Sequence, residues 1–226
     1  MLTFYFNLSP NPTKVALLLE ELGLDYQPVP VDTRRGQQFE PAFLAVNPNG
    51  KVPAIVDGDV TVFDSNAILL YLAEKAGRFL PVDAAERGPL LSWLMFVATG
   101  IGPFSGQAVH FRHFAPEPVP YARERYAYEA RRHYGVLESH LSGRQYMVGE
   151  AYTIVDMGVW GWARMLPFVL GEDAWDKLPN VKRLHDEIAA RPAAQRALSL
   201  KDRFSFKAEM DDEARAHMFK HLTSST

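Results

Sequence analysis

Two short segments of the sequence combine residue types that could bind a small peptide. The first is Val52-Pro53, which follows a loop rich in Asn and Gly and opens an apolar run. Proline is tolerated at the first position of a strand and pushes the residue before it into an extended conformation. With a cis bond, the backbone N–H and C=O of Val52 would point outward and could pair with an extended peptide. Most X–Pro bonds are trans, so the spacing alone favours an ordinary trans turn.

The second segment is Asp64-Ser65, at the predicted start of a helix. A helix N-terminus presents unpaired N–H groups and the positive end of the dipole, which suits a carboxylate. Because an adjacent acidic side chain can hold an ammonium group, the pair would suit the zwitterionic head of an amino acid. The alternative is that Ser65 only caps the helix, and the residue pattern by itself favours this structural role.

Strands and helices alternate in the N-terminal third, which must position these two segments. A strand is predicted at residues 2–6, followed by a helix with Asn11 as its N-cap and Gly23 as its end. The later elements are a strand at 26–31, a short helix at 41–46, strands at 54–56 and 60–63, and a helix from 65. The order βαβ–α–ββ–α predicts a thioredoxin-like α/β layer, a mixed sheet covered by helices.

Beyond residue 77 the sequence is helical in pattern. Residues 78–89 contain Pro and Gly and are typical of a linker. Helical periodicity then recurs in stretches bounded by Pro or Gly, at residues 90–114, 120–141, 154–170 and 180–190. Thr153 and Asp156 have the spacing of a capping box. We therefore predict domains at 1–77 and 90–226 joined by the linker 78–89, the second domain being all-α; its last 25 or so residues show no clear pattern.

Composition excludes several classes of function. The 226 residues contain no Cys, which rules out disulfide frameworks, Cys-ligated zinc and Cys nucleophiles. The net charge of −3 lacks the basic field that nucleic acid selects for. No apolar run reaches the roughly 18 residues of a membrane span, and Lys14 is too late for a signal peptide, so we expect a cytoplasmic protein. The pairs His110/His113 and His217/His221 lack a third ligand, so no metal site is predicted.

Several spaced motifs together resemble the glutathione transferase superfamily. They are residues 9–15 (SPNPTKV), 47–54 (NPNGKVPA), 64–72 (DSNAILLYL) and 153–156 (TIVD). Within the superfamily, residues 100–103 (GIGP), 110–121 and 160–162 (WGW) resemble the bacterial nu class and the related fungal Ure2-like proteins. The similarity covers about residues 2–190.

The resemblance implies the glutathione transferase (GST) fold, in which a thioredoxin-like domain binds glutathione and an all-helical domain forms the second-substrate pocket, in a homodimer. It also implies that Pro53 is preceded by a cis bond, which reverses the expectation from spacing alone. Val52 would then pair through its backbone with the cysteinyl unit of glutathione. The expected small-molecule partners are glutathione, reduced or oxidised, and a disulfide, hydroperoxide or electrophile.

Further glutathione contacts are implied at four side chains. Ser65, the helix N-terminus and Asp64 would hold the γ-glutamyl end, while Lys51 would meet the glycine carboxylate. Gln38 matches a position that also contacts glutathione in the nu-class pattern. Asp64 stands where a longer Glu or Gln is usual, so its reach to the γ-glutamyl amine would need a water or a shifted helix.

Catalysis in this superfamily depends on lowering the pKa of the glutathione thiol, so that the thiolate exists at neutral pH. A hydroxyl or amide donor close to the sulfur stabilises the anion. Because Cys is absent and Tyr5 lies inside the first strand, the nu-class pattern implies Ser9 and Asn11 as the donors. The structural alternatives are a helix N-cap for Asn11 and a turn residue for Ser9. Ser9 replaces Thr, which keeps the hydroxyl but loses a methyl that restricts the rotamer.

Arg132 lies in the predicted helix 120–141 and aligns with a nu-class arginine that faces the pocket. That class accommodates two glutathiones or their disulfide, and a guanidinium would suit the carboxylate of the second one. The alternative is a solvated charge on a long helix, as at the adjacent Arg131.

The resemblance therefore predicts a glutathione-dependent enzyme, a disulfide-bond reductase or an organic hydroperoxide peroxidase. A first alternative is a transferase that conjugates glutathione to an electrophilic carbon. A second is a glutathione-binding regulator without catalysis. The sequence starts directly at its first predicted strand and lacks the Asn-rich extension of the fungal regulators, which disfavours the second alternative.

Overall fold

A four-stranded sheet forms the first layer of the computed structural model, which describes residues 1–219. The strands are β1 (Leu2–Phe6), β2 (Tyr26–Pro30), β3 (Ala54–Asp57) and β4 (Val60–Phe63). Their order is β2-β1-β3-β4, with β1 parallel to β2 and the other pairs antiparallel. The predicted mixed sheet and the order βαβ–α–ββ–α are confirmed. Strand β2, which contains Pro28 and Pro30, lies at a sheet edge, where a missing N–H is tolerated.

Two of the three helices of this layer begin where predicted, at Pro41 and Ser65, whereas the first begins earlier than its predicted cap. They are α1 (Pro10–Leu22), α2 (Pro41–Leu44) and α3 (Ser65–Ala76). The N-cap of α1 is Ser9, so the prediction of Asn11 as the cap was wrong. Pro10 takes the first helical position, where its missing N–H costs nothing. Asn11 therefore lies inside the first turn, and its side chain is available for another role.

The rest of the described chain is helical, as predicted. Its helices are α4 (Arg87–Phe96), α5 (Gly102–Val109), α6 (Pro120–Leu141), α7 (Ile154–Ala163), α8 (Leu166–Leu170), α9 (Pro179–Ala189), α10 (Pro192–Leu198), α11 (Leu200–Arg203) and α12 (Asp212–Met218). Two π-helical segments, Val97–Ile101 and His110–Phe114, interrupt the predicted helix 90–114. The predicted helix 154–170 is divided in two because Pro167 cannot continue the hydrogen bonding of α7.

One hydrophobic core joins the sheet layer to the helices. Helix α1 contacts α3 within the sheet layer, and it also contacts α7 and α10 of the helical layer. Phe4 and Leu18 of the sheet layer are fully buried in the same cluster as Trp160 of α7. The predicted capping box of Thr153 and Asp156 is present at the start of α7. Because α7 begins at a fixed position, it holds its far end against the first turn of α1.

The helical stretch Ala84–Phe114 has the length and mean hydropathy of a membrane-spanning helix. The sequence contains no uninterrupted apolar run of about 18 residues, and this stretch likewise includes polar residues. Its segments contact α6 and α7, as a core helix does. Length and hydropathy alone therefore do not assign it to a membrane.

Residues 204–218, which we call the C-terminal strap, connect the two layers. The backbone N–H of Lys207 donates to Asp32 Oδ2 at 2.7 Å, and Arg34 Nη1 donates to the Lys207 carbonyl at 3.0 Å. Farther along, Arg215 Nη1 donates to the Phe114 carbonyl at 2.8 Å. The strap thus ties the loop after β2 to the end of the second π-helical segment. No sequence pattern had predicted it.

Candidate active site at the end of the sheet

The sheet register brings most of the predicted glutathione contacts to one end of the sheet. Phe6 lies opposite Pro30, so β1 and β2 finish together. Ala54 lies opposite both Tyr5 and Phe63, so β3 begins where β1 and β4 end. The turn after β1, the Val52-Pro53 bond before β3 and Asp64-Ser65 after β4 therefore share this end.

The Val52-Pro53 bond is cis, so the trans turn favoured by spacing was wrong and the bond implied by the resemblance is present. The preceding loop is held by the buried amide of Asn47. Its oxygen accepts the backbone N–H of Asn49 at 3.0 Å, and its Nδ2 donates to the Lys51 carbonyl at 2.5 Å. The Lys51 residue is exposed. Sequence reasoning treated Asn47 only as part of a motif and missed that it organises the loop.

Asp64, and not Ser65, caps helix α3. Asp64 has a φ of 70°, unusual for a residue with a side chain, and its Oδ1 accepts the backbone N–H of Asn66 at 2.8 Å and of Ala67 at 3.2 Å. The expectation that Ser65 caps the helix was wrong, because Ser65 is the first helical residue and is buried. Non-glycine residues in this left-handed region of φ cluster at functional sites.

The side chain of Asn11 is oriented by a tryptophan from the helical layer. Trp162 Nε1 donates to Asn11 Oδ1 at 2.9 Å. Because an indole N–H can only donate, the amide oxygen must face Trp162 and the NH₂ group must point elsewhere. No residue among 1–219 accepts a hydrogen bond from that NH₂ group. The arrangement leaves an amide donor available at the end of the sheet.

Ser9 is engaged differently. Its Oγ donates to Asn7 Oδ1 at 2.6 Å, and its backbone N–H donates to the same oxygen at 3.0 Å. A hydroxyl has one proton, so Ser9 can donate to a ligand only by giving up Asn7. Sequence analysis included Trp162 only as part of the WGW motif and did not consider Asn7, and neither hydrogen bond was predicted.

A cavity of about 630 Å³ opens beside the turn that contains Ser9. Part of its wall comes from the helical layer, including Trp162 and Phe168. The C-terminal strap supplies another part, including Phe204 and Phe206. The cavity can therefore hold an apolar or partly apolar group next to the turn after β1.

Gln38 is buried beneath helix α12 of the strap. Its Nε2 donates to the Thr33 carbonyl at 3.1 Å and to the His217 carbonyl at 3.5 Å. Its Oε1 is buried and has no partner among the described residues. This oxygen is an unsatisfied acceptor, and a glutathione contact at Gln38 stays a prediction.

Arg132 does not lie on one of the strands or turns that meet at the end of the sheet. It lies on α6, where its Nε donates to Glu129 Oε2 at 2.9 Å, and its side chain is about half-exposed. Glu129 also pairs with Arg125, and these two guanidinium groups hold the pKa of the Glu129 carboxyl below its usual range. The role of Arg132 toward a second glutathione stays a prediction.

The described residues 1–219 contain no group of three or more His, Asp or Glu side chains that could hold a metal ion. His113 Nε2 donates to the Phe168 carbonyl at 2.8 Å, and the imidazole stacks on the Phe168 ring. His221, the predicted companion of His217, lies outside the described residues.

The sequence matches two families of domains. Residues 1–74 match the family described as "Glutathione S-transferase, N-terminal domain", and residues 117–198 match "Glutathione S-transferase, C-terminal domain". Together these segments span more than half of the chain, on both layers of the fold.

Individual proteins and structures are similar over most of the chain. The disulfide-bond oxidoreductase YfcG of Escherichia coli is 41% identical over 94% of this chain and 98% of its own length. Protein URE2 of Eremothecium gossypii is 32% identical over 86% of this chain and 66% of its own length. A glutathione transferase from Pseudomonas putida, solved with one glutathione disulfide bound per subunit, has a TM-score of 0.83 at 38% identity. That likeness covers 88% of this chain and 91% of the other.

Proposed function

Because this chain belongs to the glutathione S-transferase family, we propose that it is a disulfide-bond reductase that also reduces organic hydroperoxides. It is a glutathione-dependent enzyme. The observation that carries the proposed reaction is the Asn11 amide, held by Trp162 so that its NH₂ group is left to donate. A donor of this kind, aimed at sulfur, lowers the pKa of a thiol.

The proposed reaction uses the thiol of glutathione, since the protein contains no Cys and therefore no thiol of its own. The thiolate attacks one sulfur of a disulfide, a new S–S bond forms, and the other sulfur leaves as a thiolate and takes a proton. A second glutathione thiolate then attacks the glutathione sulfur of the mixed disulfide, which releases the second thiol and oxidised glutathione. With a hydroperoxide, the thiolate attacks the terminal oxygen, an alcohol leaves, and a second glutathione reduces the sulfenic acid to disulfide and water.

The residues at the end of the sheet support glutathione as the bound tripeptide. We propose that Val52, with Pro53 in cis, pairs with the cysteinyl unit, that Asp64 and Ser65 hold the γ-glutamyl end, and that Lys51 meets the glycine carboxylate. In this arrangement the sulfur would lie near Ser9 and Asn11, beside the apolar cavity. Gln38 is proposed as a further contact.

Two other functions remain alternatives. Conjugation to an electrophilic carbon would use the same thiolate and the same cavity, so the site geometry does not disfavour it. A non-catalytic regulator would need the glutathione contacts but not the oriented Asn11 amide. The similarity to YfcG, named as a disulfide-bond oxidoreductase, favours reduction over both.

Three steady-state assays with glutathione separate these functions. Hydroxyethyl disulfide reports disulfide reduction, cumene hydroperoxide reports peroxidase activity, and chlorodinitrobenzene reports conjugation. We expect turnover of the first two and little of the third. Turnover of chlorodinitrobenzene alone would overturn the proposal in favour of conjugation. Glutathione binding without turnover in any assay would favour the regulator.

Arg132→Ala is expected to weaken the binding of oxidised glutathione about tenfold, the loss of one charge-assisted contact. The affinity for reduced glutathione should stay within about twofold, because we propose that Arg132 meets the second glutathione only. Calorimetric titration with each ligand measures both values. Arg131→Ala, at the neighbouring exposed position, is the matched control. If Arg132→Ala and the unchanged protein bound oxidised glutathione with equal affinity, Arg132 would be only a solvated surface charge.

We also propose that the chain forms a homodimer through a face that includes β4. This edge strand exposes Val60 and Phe63, which are 45% and 43% accessible. Edge strands with exposed apolar residues are normally covered. Phe63→Glu is expected to halve the mass seen by light scattering, whereas Val82→Glu, at a fully exposed position before α4, should not change it. A monomeric unchanged protein would contradict the proposal.

The domain boundaries and the cellular location are proposals as well. We propose a glutathione-binding domain at 1–77, a linker at 78–89 and a helical domain at 90–226 that forms the second-substrate pocket. A cytoplasmic location would supply reduced glutathione. Fractionation with a marker enzyme of each compartment tests the location, and recovery outside the cytoplasmic fraction would contradict it.

A further inference from the structure

Lys14 is buried at the junction of the two layers. It lies in α1 and is 1% accessible, and α7 passes so close that a Cβ added at Gly161 would lie 2.9 Å from Lys14 Cβ. Its Nζ donates to Asn66 Oδ1 at 2.9 Å. No carboxylate within residues 1–219 forms an ion pair with this ammonium group.

Fold stability does not account for this lysine. A buried ammonium group with a single amide acceptor is costly, and replacing it by an apolar side chain is often neutral or stabilising. Burial lowers the pKa of Lys14 to about 7, while the negative charge of Asp64 acts in the opposite direction. Because burying Lys14 destabilises the folded state, its presence at this position indicates a role in the adjacent site.

Asn66 connects Lys14 to Asp64. Because a carboxylate oxygen can only accept, Asn66 Nδ2 is the atom that faces Asp64 Oδ1, at 3.4 Å, and the amide oxygen of Asn66 is left to accept from Lys14 Nζ. The same Oδ1 accepts the backbone N–H groups of Asn66 and Ala67. Asp64 Oδ1 is therefore occupied, whereas Oδ2 receives no hydrogen bond from the described residues.

We propose that Lys14 is a positioning residue for the γ-glutamyl site. It fixes the amide of Asn66, Asn66 fixes Asp64, and Asp64 presents Oδ2 to the α-ammonium group of the ligand. This inference rests on the proposed binding of glutathione. It also gives a reason why the short Asp64 suffices where a longer acid is usual, because its carboxylate is held in one orientation.

The test compares two ligands on the whole protein. S-methylglutathione has the α-ammonium group and no free thiol, and its deamino analogue lacks the ammonium group. Lys14→Met is expected to weaken S-methylglutathione about tenfold in calorimetry and to change the analogue by less than about twofold. In disulfide turnover, KM for glutathione should rise by a similar factor while kcat at saturation stays constant. Lys75→Met, which removes a lysine at the far end of α3, should alter neither ligand.

A second variant separates folding from positioning. Lys14→Met combined with Asn66→Leu removes both partners and leaves no buried polar group unpaired, so its free energy of unfolding should match that of the unchanged protein. The loss specific to S-methylglutathione should persist in it. Equal losses for both ligands, or no loss in Lys14→Met, would overturn the role of Lys14. If the unchanged protein bound neither ligand, the proposed function itself would fail, and this assignment with it.

Discussion

Replacing Asn11 by alanine is expected to raise the pKa of the enzyme-bound glutathione thiol and to lower kcat for disulfide reduction about 100-fold at pH 7. Once the thiol pKa lies above this pH, each unit by which it rises lowers the ionised fraction about tenfold, so a rise of about two units accounts for this loss. The Asn11 NH₂ group has no other partner among the described residues, and Trp162 holds the amide in one orientation. Its removal therefore leaves the thiolate without a preorganised donor, and less of the bound thiol is ionised.

The thiol pKa is read directly from the ultraviolet absorbance of the bound thiolate as the pH is raised. Ser9→Ala is the comparison, with an expected loss in kcat of only about 3- to 10-fold, because the Ser9 hydroxyl already donates to Asn7. Trp162→Phe keeps the aromatic wall and removes the N–H that orients Asn11, so its thiol pKa should lie between those of the unchanged protein and Asn11→Ala. An unchanged pKa in Asn11→Ala would refute its role as the donor.

Local patterns in the sequence were enough to predict where most residues of the candidate site lie in the fold. The strands, the loop before Val52 and the helix after Asp64 are each encoded within a few residues, and parallel or antiparallel pairing then brings them to one end of the sheet. The cis bond was not predictable from spacing, because a local pattern cannot outweigh the general preference for trans. The resemblance to a known family supplied it.

The contacts that decide the chemistry were not predictable because they are distant in sequence. Asn11 and Trp162 are 151 residues apart, and Lys14 and Asn66 are 52 apart. Local rules assigned Asn11 to a cap, which Pro10 moved by two residues to Ser9. The C-terminal strap escaped prediction for a related reason: its order depends on Asp32 and Arg34, and no helical period marks it before α12.

Asp156→Ala is expected to lower the free energy of unfolding by about 3–5 kcal/mol, the cost of leaving several buried donors without an acceptor. Asp156 is fully buried. Its Oδ1 accepts the Met147 N–H at 2.8 Å, and its Oδ2 accepts the Thr153 N–H at 2.8 Å and the Thr153 hydroxyl at 3.0 Å. These bonds fix the start of α7 and hence the place of Trp162 beside Asn11. Urea denaturation of both proteins at pH 4, where the contribution of Asp156 is near its maximum, measures the difference.

The pH dependence of that difference identifies its cause. Burial raises the pKa of Asp156 from 3.8 to about 6, so the folded state holds a proton more tightly than the unfolded state. The contribution of Asp156 is therefore greatest below pH 4 and declines by about 3 kcal/mol as the pH rises to 6. Asp211→Ala is the matched control, because Asp211 caps α12 from an exposed position and its loss should cost only about 0.5–1 kcal/mol. If Asp156→Ala cost no more than Asp211→Ala, the capping box would not be what holds α7 in register with the site.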